Sequence, residues 1–185
     1  MGNVLYFCTC PNFGLCAPVG KSKKISTKEA MQFTGRYEAR MDAKGRLFFP
    51  ADFRRAFGEE AVRVVLRRDV FQPCLVVYPY DVWAAELQYL RSRLNRWNPE
   101  EAMLLRQFMA DADVLELDAN GRFIVPKHFR ELCGEERHVV FLGLDDRIEI
   151  WDAALMAKPF IEGDTFARKI SALLAPDRVD ESAHE

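Results

Sequence analysis

One stretch of this chain occurs twice. Asp42-Ala43-Lys44-Gly45-Arg46-Leu47-Phe48-Phe49-Pro50-Ala51-Asp52-Phe53-Arg54 returns 76 residues later as Asp118-Ala119-Asn120-Gly121-Arg122-Phe123-Ile124-Val125-Pro126-Lys127-His128-Phe129-Arg130. The match runs on to Gly58-Glu59-Glu60 and Gly134-Glu135-Glu136, giving ten identities in 19 aligned positions. Self-similarity of this kind makes the fold two uses of one supersecondary unit.

Each unit reads the same way. A short strand, Tyr37 to Met41 or Val114 to Leu117, precedes the repeated stretch. Asp-x-x-Gly is turn chemistry: the carboxylate of Asp42 or Asp118 accepts local backbone hydrogen bonds, and Gly45 or Gly121 tolerates a positive φ. Leu47-Phe48-Phe49 and Phe123-Ile124-Val125 are β-favouring runs that predict the return strand. Pro50 and Pro126 end that strand and suit the first position of a short helix. Phe53 and Phe57 lie one turn apart on the first of these helices, as Phe129 and Leu132 or Cys133 do on the second. Gly58 and Gly134 stand where a C-terminal cap belongs. Strands Val62–Leu66 and Leu75–Tyr78 close the first unit, and Val139–Leu142 and Ile148–Trp151 the second. A unit of about fifty residues buries too little surface to be stable alone. Two copies in one chain remedy this by pairing their hairpins about a pseudo-twofold axis around a shared core.

Helices are expected between and after the copies. Val82, Leu87, Leu90 and Leu94 have helical spacing within Asp81–Asn95. Asn98-Pro99-Glu100-Glu101 supplies an N-cap, an N1 proline and two first-turn acids. Asp152 caps a short helix ended near Pro159, and Thr165–Leu174 forms the last. The resulting division is an extension at 1–30, a first repeat at 31–80, a helical connector at 81–110 and a second repeat at 111–152. C-terminal helices at 153–174 and a flexible tail at 175–185 complete it. The extension mixes Cys8, Cys10 and Cys16 with glycines, prolines and scattered aromatics, and has no periodicity. It reads as mobile or as a mis-assigned start, with Met31 the true first residue. Cys-x-Cys with one distant partner and no nearby His is a poor zinc pattern. Lys21, Lys23, Lys24 and Lys28 read as a solvated linker or as a weak phosphate attractor.

Composition narrows the function. Hydrophobic residues make up 49% and charged residues 29% of the 185, as in a folded protein. No run approaches the roughly 20 apolar residues of a membrane span, so no membrane partner is expected. Five cysteines are an odd number for a disulfide framework, and only Cys74 and Cys133 lie in the main body, which points to a reduced, cytoplasmic setting. No catalytic constellation, metal-ligand set or cofactor motif is present: His128, His138 and His184 lack metal-spaced partners, and neither motif glycine has the context of a phosphate-cradling loop. No enzymatic activity, cofactor or small-molecule substrate is therefore expected.

Charge is distributed unevenly. The net charge of −2 conceals +3 over residues 31–80 and −5 over residues 111–151. Arg36, Arg40, Lys44, Arg46, Arg54, Arg55, Arg67 and Arg68 are expected at exposed points of the basic copy, where any one of them alone reads as ordinary surface charge. Arg46 and Arg122 stand apart, because each follows the turn glycine at a hairpin tip in both copies. An arginine on a two-stranded ribbon can enter a major groove and pair with guanine, or hold phosphates. The competing reading is that it ties down Asp42 or Asp118 in its own loop, and the two roles are compatible.

At these residues the chain resembles a known family. Met31-Gln32-Phe33-Thr34-Gly35-Arg36-Tyr37-Glu38, then Asp42-Ala43-Lys44-Gly45-Arg46 and Pro50, is similar to the start of MraZ proteins. These are bacterial transcriptional regulators related to the AbrB-type swapped-hairpin DNA binders. Cys74-Leu75-Val76-Val77-Tyr78-Pro79, Asn98-Pro99 and Ile148-Glu149-Ile150-Trp151 fit the same pattern, and the resemblance runs from about Met31 to Leu174. It implies a mixed α+β, β-rich fold: a double-split β-barrel of two tandem AbrB-like units, with helices between and after them. It further implies a homo-oligomeric, ring-forming, nucleoid-associated regulator that binds double-stranded DNA at direct-repeat promoter boxes of the cell-wall and cell-division gene cluster. On this reading Lys44, Arg46, Arg122, Asn120, Arg36 and Arg40 face DNA, while Asp42, Gly45, Asp118 and Gly121 shape the loops. Asn120 stands where copy one has lysine, and the acidic charge of copy two weakens its claim to phosphates. The alternative is an antitoxin-like or scaffold protein acting through protein–protein contact.

Overall fold

The computed structural model describes residues 33–57 and 63–175. The expectations for residues 1–30, Met31, Gly58, Glu59-Glu60, Val62 and the tail beyond 175 lie outside them. In chain order the elements are β1 (Arg36–Arg40), β2 (Arg46–Phe48), α1 (Ala51–Ala56), β3 (Arg63–Arg68), β4 (Leu75–Pro79), α2 (Tyr80–Arg93) and α3 (Pro99–Ala110). The second half follows with β5 (Ala112–Glu116), β6 (Arg122–Ile124), a 3-10 turn (Lys127–Cys133), β7 (His138–Leu144), β8 (Arg147–Asp152), a 3-10 turn (Leu155–Ala157) and α4 (Gly163–Leu174).

Two details differ from the sequence expectation. Pro50 and Pro126 sit one residue before their helical segments, with extended ψ near 134° and 146°. Each is thus the exit of its strand, and its carbonyl accepts from Arg54 N (2.9 Å) or Phe129 N (3.0 Å). The short helices also differ where the two units were expected to match: the first is α-helical, and the second winds as a 3-10 turn whose first bond closes over three residues, from Phe129 to Pro126.

The strands form a six-stranded antiparallel sheet in the order β1-β7-β8-β4-β3-β5 and a two-stranded ribbon, β2-β6. The first strand of each copy has left its own unit: β1 pairs with β7 and β5 pairs with β3. This exchange of opening strands, with paired return strands, is the arrangement expected of a double-split barrel. The order reads the same when the copies are interchanged, so a pseudo-twofold axis relates them. It passes between Leu47 and Phe123, which pair in the ribbon, and between Val76 and Glu149, which pair at the middle of the large sheet.

The sheet is packed on both faces. One face meets the ribbon, α1 and the second copy's 3-10 turn through Phe33, Leu47, Phe49, Phe53, Phe123, Phe129, Phe141 and Ile150, each at most 3% exposed. Phe49 contacts the rings of Phe53, Phe57, Phe123 and Phe141 edge-on at 5.9–6.3 Å, so one side chain joins residues of both copies. Burying a side chain of this size is worth about 1.5–3 kcal/mol, and the repeat thereby gains the core that neither half has alone. The other face is covered by α2, α3 and the turn at Leu155–Ala157, through Trp83, Phe108, Trp151 and Met156. Asn98 caps α3 by accepting from Glu100 N at 3.0 Å, and Asp152 accepts from Ala154 N at 3.0 Å ahead of the short turn. No helix among the described residues is long and apolar enough to cross a membrane.

Candidate nucleic-acid interface

The repeated loops flank the ribbon. In the first, Asp42 Oδ1 accepts from Lys44 N and Arg46 N, both at 2.9 Å, and Oδ2 accepts from Arg46 Nε at 2.6 Å. In the second, Asp118 Oδ1 accepts from Asn120 N and Arg122 N at 2.9 Å, and Oδ2 accepts from Arg122 Nε at 2.8 Å. Main-chain bonds finish each turn: Gly45 N to Asp42 O (3.0 Å) and Gly121 N to Asp118 O (2.8 Å). Gly45 has φ +84° and Gly121 φ +74°, the left-handed region that a residue with a Cβ resists. The Arg46 N–H, first among the partners, holds the Asp42 carboxyl below its usual range, and the Arg122 N–H does the same for Asp118.

The copies also hold each other's loops. Gly45 O accepts from Val125 N and Gly121 O from Phe49 N, both at 2.8 Å. Arg130 reaches across the axis to donate from Nη2 to Lys44 O at 3.2 Å, while its Nε donates to Val125 O at 2.9 Å. Its counterpart Arg54 donates from Nη1 to Asn120 O at 3.1 Å. The two guanidinium groups lie in the space a Cβ at Gly45 or Gly121 would need. Sequence reasoning placed Arg54 among ordinary surface charges and did not single out Arg130. The signal was their identity in both copies, inside Phe53-Arg54 and Phe129-Arg130.

The ribbon sorts its side chains by alternation. Leu47 and Phe123 point inward, at 0% and 3% exposure. Arg46, Phe48, Arg122 and Ile124 therefore share the outer face, with Arg46 opposite Ile124 and Phe48 opposite Arg122. The salt bridges to Asp42 and Asp118 engage Nε, and they realise the loop-tying reading of both arginines. Among the described residues no hydrogen-bond acceptor engages the Nη groups of either one. The Arg122 guanidinium lies 5.6 Å from the centre of the Phe48 ring. Exposed apolar Phe48 and Ile124, at 60% and 57%, were read from sequence only as parts of apolar strands.

Of the other candidate residues, Lys44 and Asn120 occupy equivalent loop positions beside the ribbon. Arg36 and Arg40 do not join them. Both are exposed on β1, whose Tyr37 and Ala39 face the core on the ribbon's side, so the two arginines project from the opposite face of the sheet edge. Arg36 is also about 13 Å along the strand from Arg40.

Comparison with known proteins agrees with this architecture. A protein-family model described as "MraZ protein, putative antitoxin-like" matches residues 32–107 and again 108–158. A transcriptional regulator MraZ of Phocaeicola vulgatus is 44% identical over 147 residues, covering 78% of this chain and 94% of that protein. One from Bacteroides fragilis is 41% identical over 150 residues, covering 80% and 94%. A more distant relative of the same name from Desulfitobacterium hafniense is 38% identical over 125 residues, covering 68% and 84%. With the tandem units matched in order and the similarity spanning nearly the full length of its relatives, the chain belongs to the MraZ family.

Proposed function

We propose that this chain is a sequence-specific DNA-binding transcriptional regulator, a repressor or autoregulator of the cell-division and cell-wall gene cluster that acts at repeated promoter boxes. The observation that carries the reading is the outer face of the ribbon. Two arginines, each fixed through Nε by its own loop aspartate, keep their Nη groups available there. A positioned guanidinium of this kind loses little entropy when it pairs with a guanine edge or a phosphate. Lys44 adds charge beside the first loop, and Asn120 offers a neutral amide beside the second. The names of the relatives support the same reading.

Arg46 is the dominant contact in this proposal. Its side chain is 35% exposed against 26% for Arg122, and Arg122 also rests over Phe48 in the more acidic copy. Arg36 and Arg40, on the other face of the sheet, contribute through long-range attraction. The working form is a homo-oligomer, with a ring as the geometry that lets several sites engage repeated boxes at once. Support comes from α4, whose Phe166, Ile170, Leu173 and Leu174 are 37–79% exposed along one helical face, a stripe that a second copy would cover.

Fluorescence anisotropy on DNA from upstream of the protein's own gene tests the reading, with a scrambled duplex and a salt series alongside. Preference for the native DNA, with affinity falling steeply as salt rises, is the expected result, because each neutralised phosphate releases condensed counterions. Equal, salt-insensitive binding to both duplexes would refute it and turn attention to protein partners.

A further inference from the structure

Phe48 and Ile124 pose a problem that the arginines do not. They occupy equivalent positions in the two copies, and on a ribbon only three residues long on each strand they make up half of the outer face. Both are more than half exposed. The core needs neither, since Leu47 and Phe123 already fill the inward positions between them and the arginines.

Their surroundings say what could cover them. Each faces an arginine across the ribbon: Ile124 opposite Arg46, and Phe48 opposite Arg122. Cross-strand neighbours lie about 5 Å apart, so any partner touching one apolar side chain also meets a guanidinium. That combination excludes a purely apolar protein surface, which would have to desolvate two charges. It fits a partner rich in acceptors that also carries isolated apolar groups. A two-stranded ribbon enters the B-DNA major groove, where the base edges are polar except at one group, the C5-methyl of thymine.

We propose that Phe48 and Ile124 are specificity-determining residues that read thymine methyl groups in the bound DNA. The proposal rests on the DNA-binding reading above and refines it: the arginines select guanine edges or phosphates, and the apolar pair rejects sites whose contacted positions lack a methyl. The two copies are not equivalent in this role. The Phe48 ring, braced by Arg122, offers a flat and wide contact, whereas Ile124 offers a smaller, branched one.

Replacing thymine by deoxyuridine removes the methyl and leaves base pairing intact. The test is anisotropy with the full chain on the upstream duplex, exchanging each of its thymines in turn on both strands. Loss of one methyl contact is expected to weaken binding about fourfold at a small number of positions. Phe48→Ala should abolish the sensitivity at some of these, Ile124→Ala at others, and Phe48→Leu should retain it. Circular dichroism and thermal melting of the variants should match the parent, as both residues lie outside the core. Unchanged binding at every deoxyuridine, with preference for native over scrambled DNA retained, would overturn the methyl reading and leave the regulator reading standing. Full sensitivity in both alanine variants would overturn the assignment to these residues. No preference for the native duplex would overturn both readings together.

Discussion

The Arg130 guanidinium fills the space beside Gly45 that any larger residue would need, although 85 positions of sequence separate the two. A residue of the second copy thus enforces the glycine of the first. Gly45→Ala must adopt φ +84° with a Cβ and expel Arg130 from its bonds to Val125 O and Lys44 O. The expected cost is about 1–2 kcal/mol, read as a lower urea midpoint with an unchanged m-value. Unaltered stability would mean that the loop has another conformation open to it.

Acid should destabilise the protein through its two loops. Asp42 and Asp118 have carboxyl pKa values held below the ordinary one, chiefly by the backbone N–H groups of Arg46 and Arg122. A depressed carboxyl stabilises the fold fully above its unfolded pKa, and that stability is lost as pH falls through the folded value. Glu149 runs the other way, because burial raises its pKa. The melting temperature should therefore fall below about pH 4. In the Asp42→Asn, Asp118→Asn double variant that acid limb should flatten, with Glu149 common to both proteins.

The two loop arginines should not contribute equally. Arg46→Ala should weaken DNA binding by about 1–3 kcal/mol, roughly five- to 150-fold, if it reads a base edge. Arg122→Ala should cost less, since part of its charge already rests on Phe48. Anisotropy at fixed salt measures both, and equal losses would remove the asymmetry between the copies.

On the far side of the sheet, Arg67, which the sequence placed among exposed charges, is instead 5% exposed because β3 carries it under α2 and α3, with its guanidinium 3.8 Å from the centre of the Phe108 ring. Its Nε has no hydrogen-bond partner, and burial lowers its pKa. Arg67→Met keeps the volume and removes the desolvated charge, so its stability should match the parent to within about 1 kcal/mol or exceed it. Arg67→Ala leaves a void beside the stacked Trp83 and Phe108 rings and should cost about 3 kcal/mol. Denaturant titration of the pair separates packing from charge.

How much of this was legible in the sequence depended on range. The Asp42 and Asp118 turns, the return strands and the Asn98 cap follow from chemistry within five residues, and the structure has them where the sequence put them. The pairing of the hairpins about a twofold followed from the repeat itself. Less accessible was anything decided across the axis. Arg54 and Arg130 acquire their role only once the opposite loop is within reach. The outward placement of Phe48 and Ile124 was within reach of the sequence, because alternation around an inward Leu47 and Phe123 requires it. Treating the segments as uniformly apolar hid that. Arg36 and Arg40 were expected to face DNA with the loops as exposed charges of the basic copy, but the alternation of β1 carries them to the other face.

The pair on the axis of the large sheet, Val76 with Glu149, has a consequence for descent. Two identical half-length chains would set the same residue against itself there: a pair of valines, or a pair of half-buried glutamates in mutual repulsion. A single polypeptide escapes that rule. Glu149 accepts from Trp151 Nε1 at 2.7 Å, while the facing position keeps a fully buried valine. Once the halves share a backbone, mutation no longer strikes both at once. One gene then encodes what is in effect an obligate heterodimer, free to keep its arginines in common while its charges and its outward apolar residues diverge.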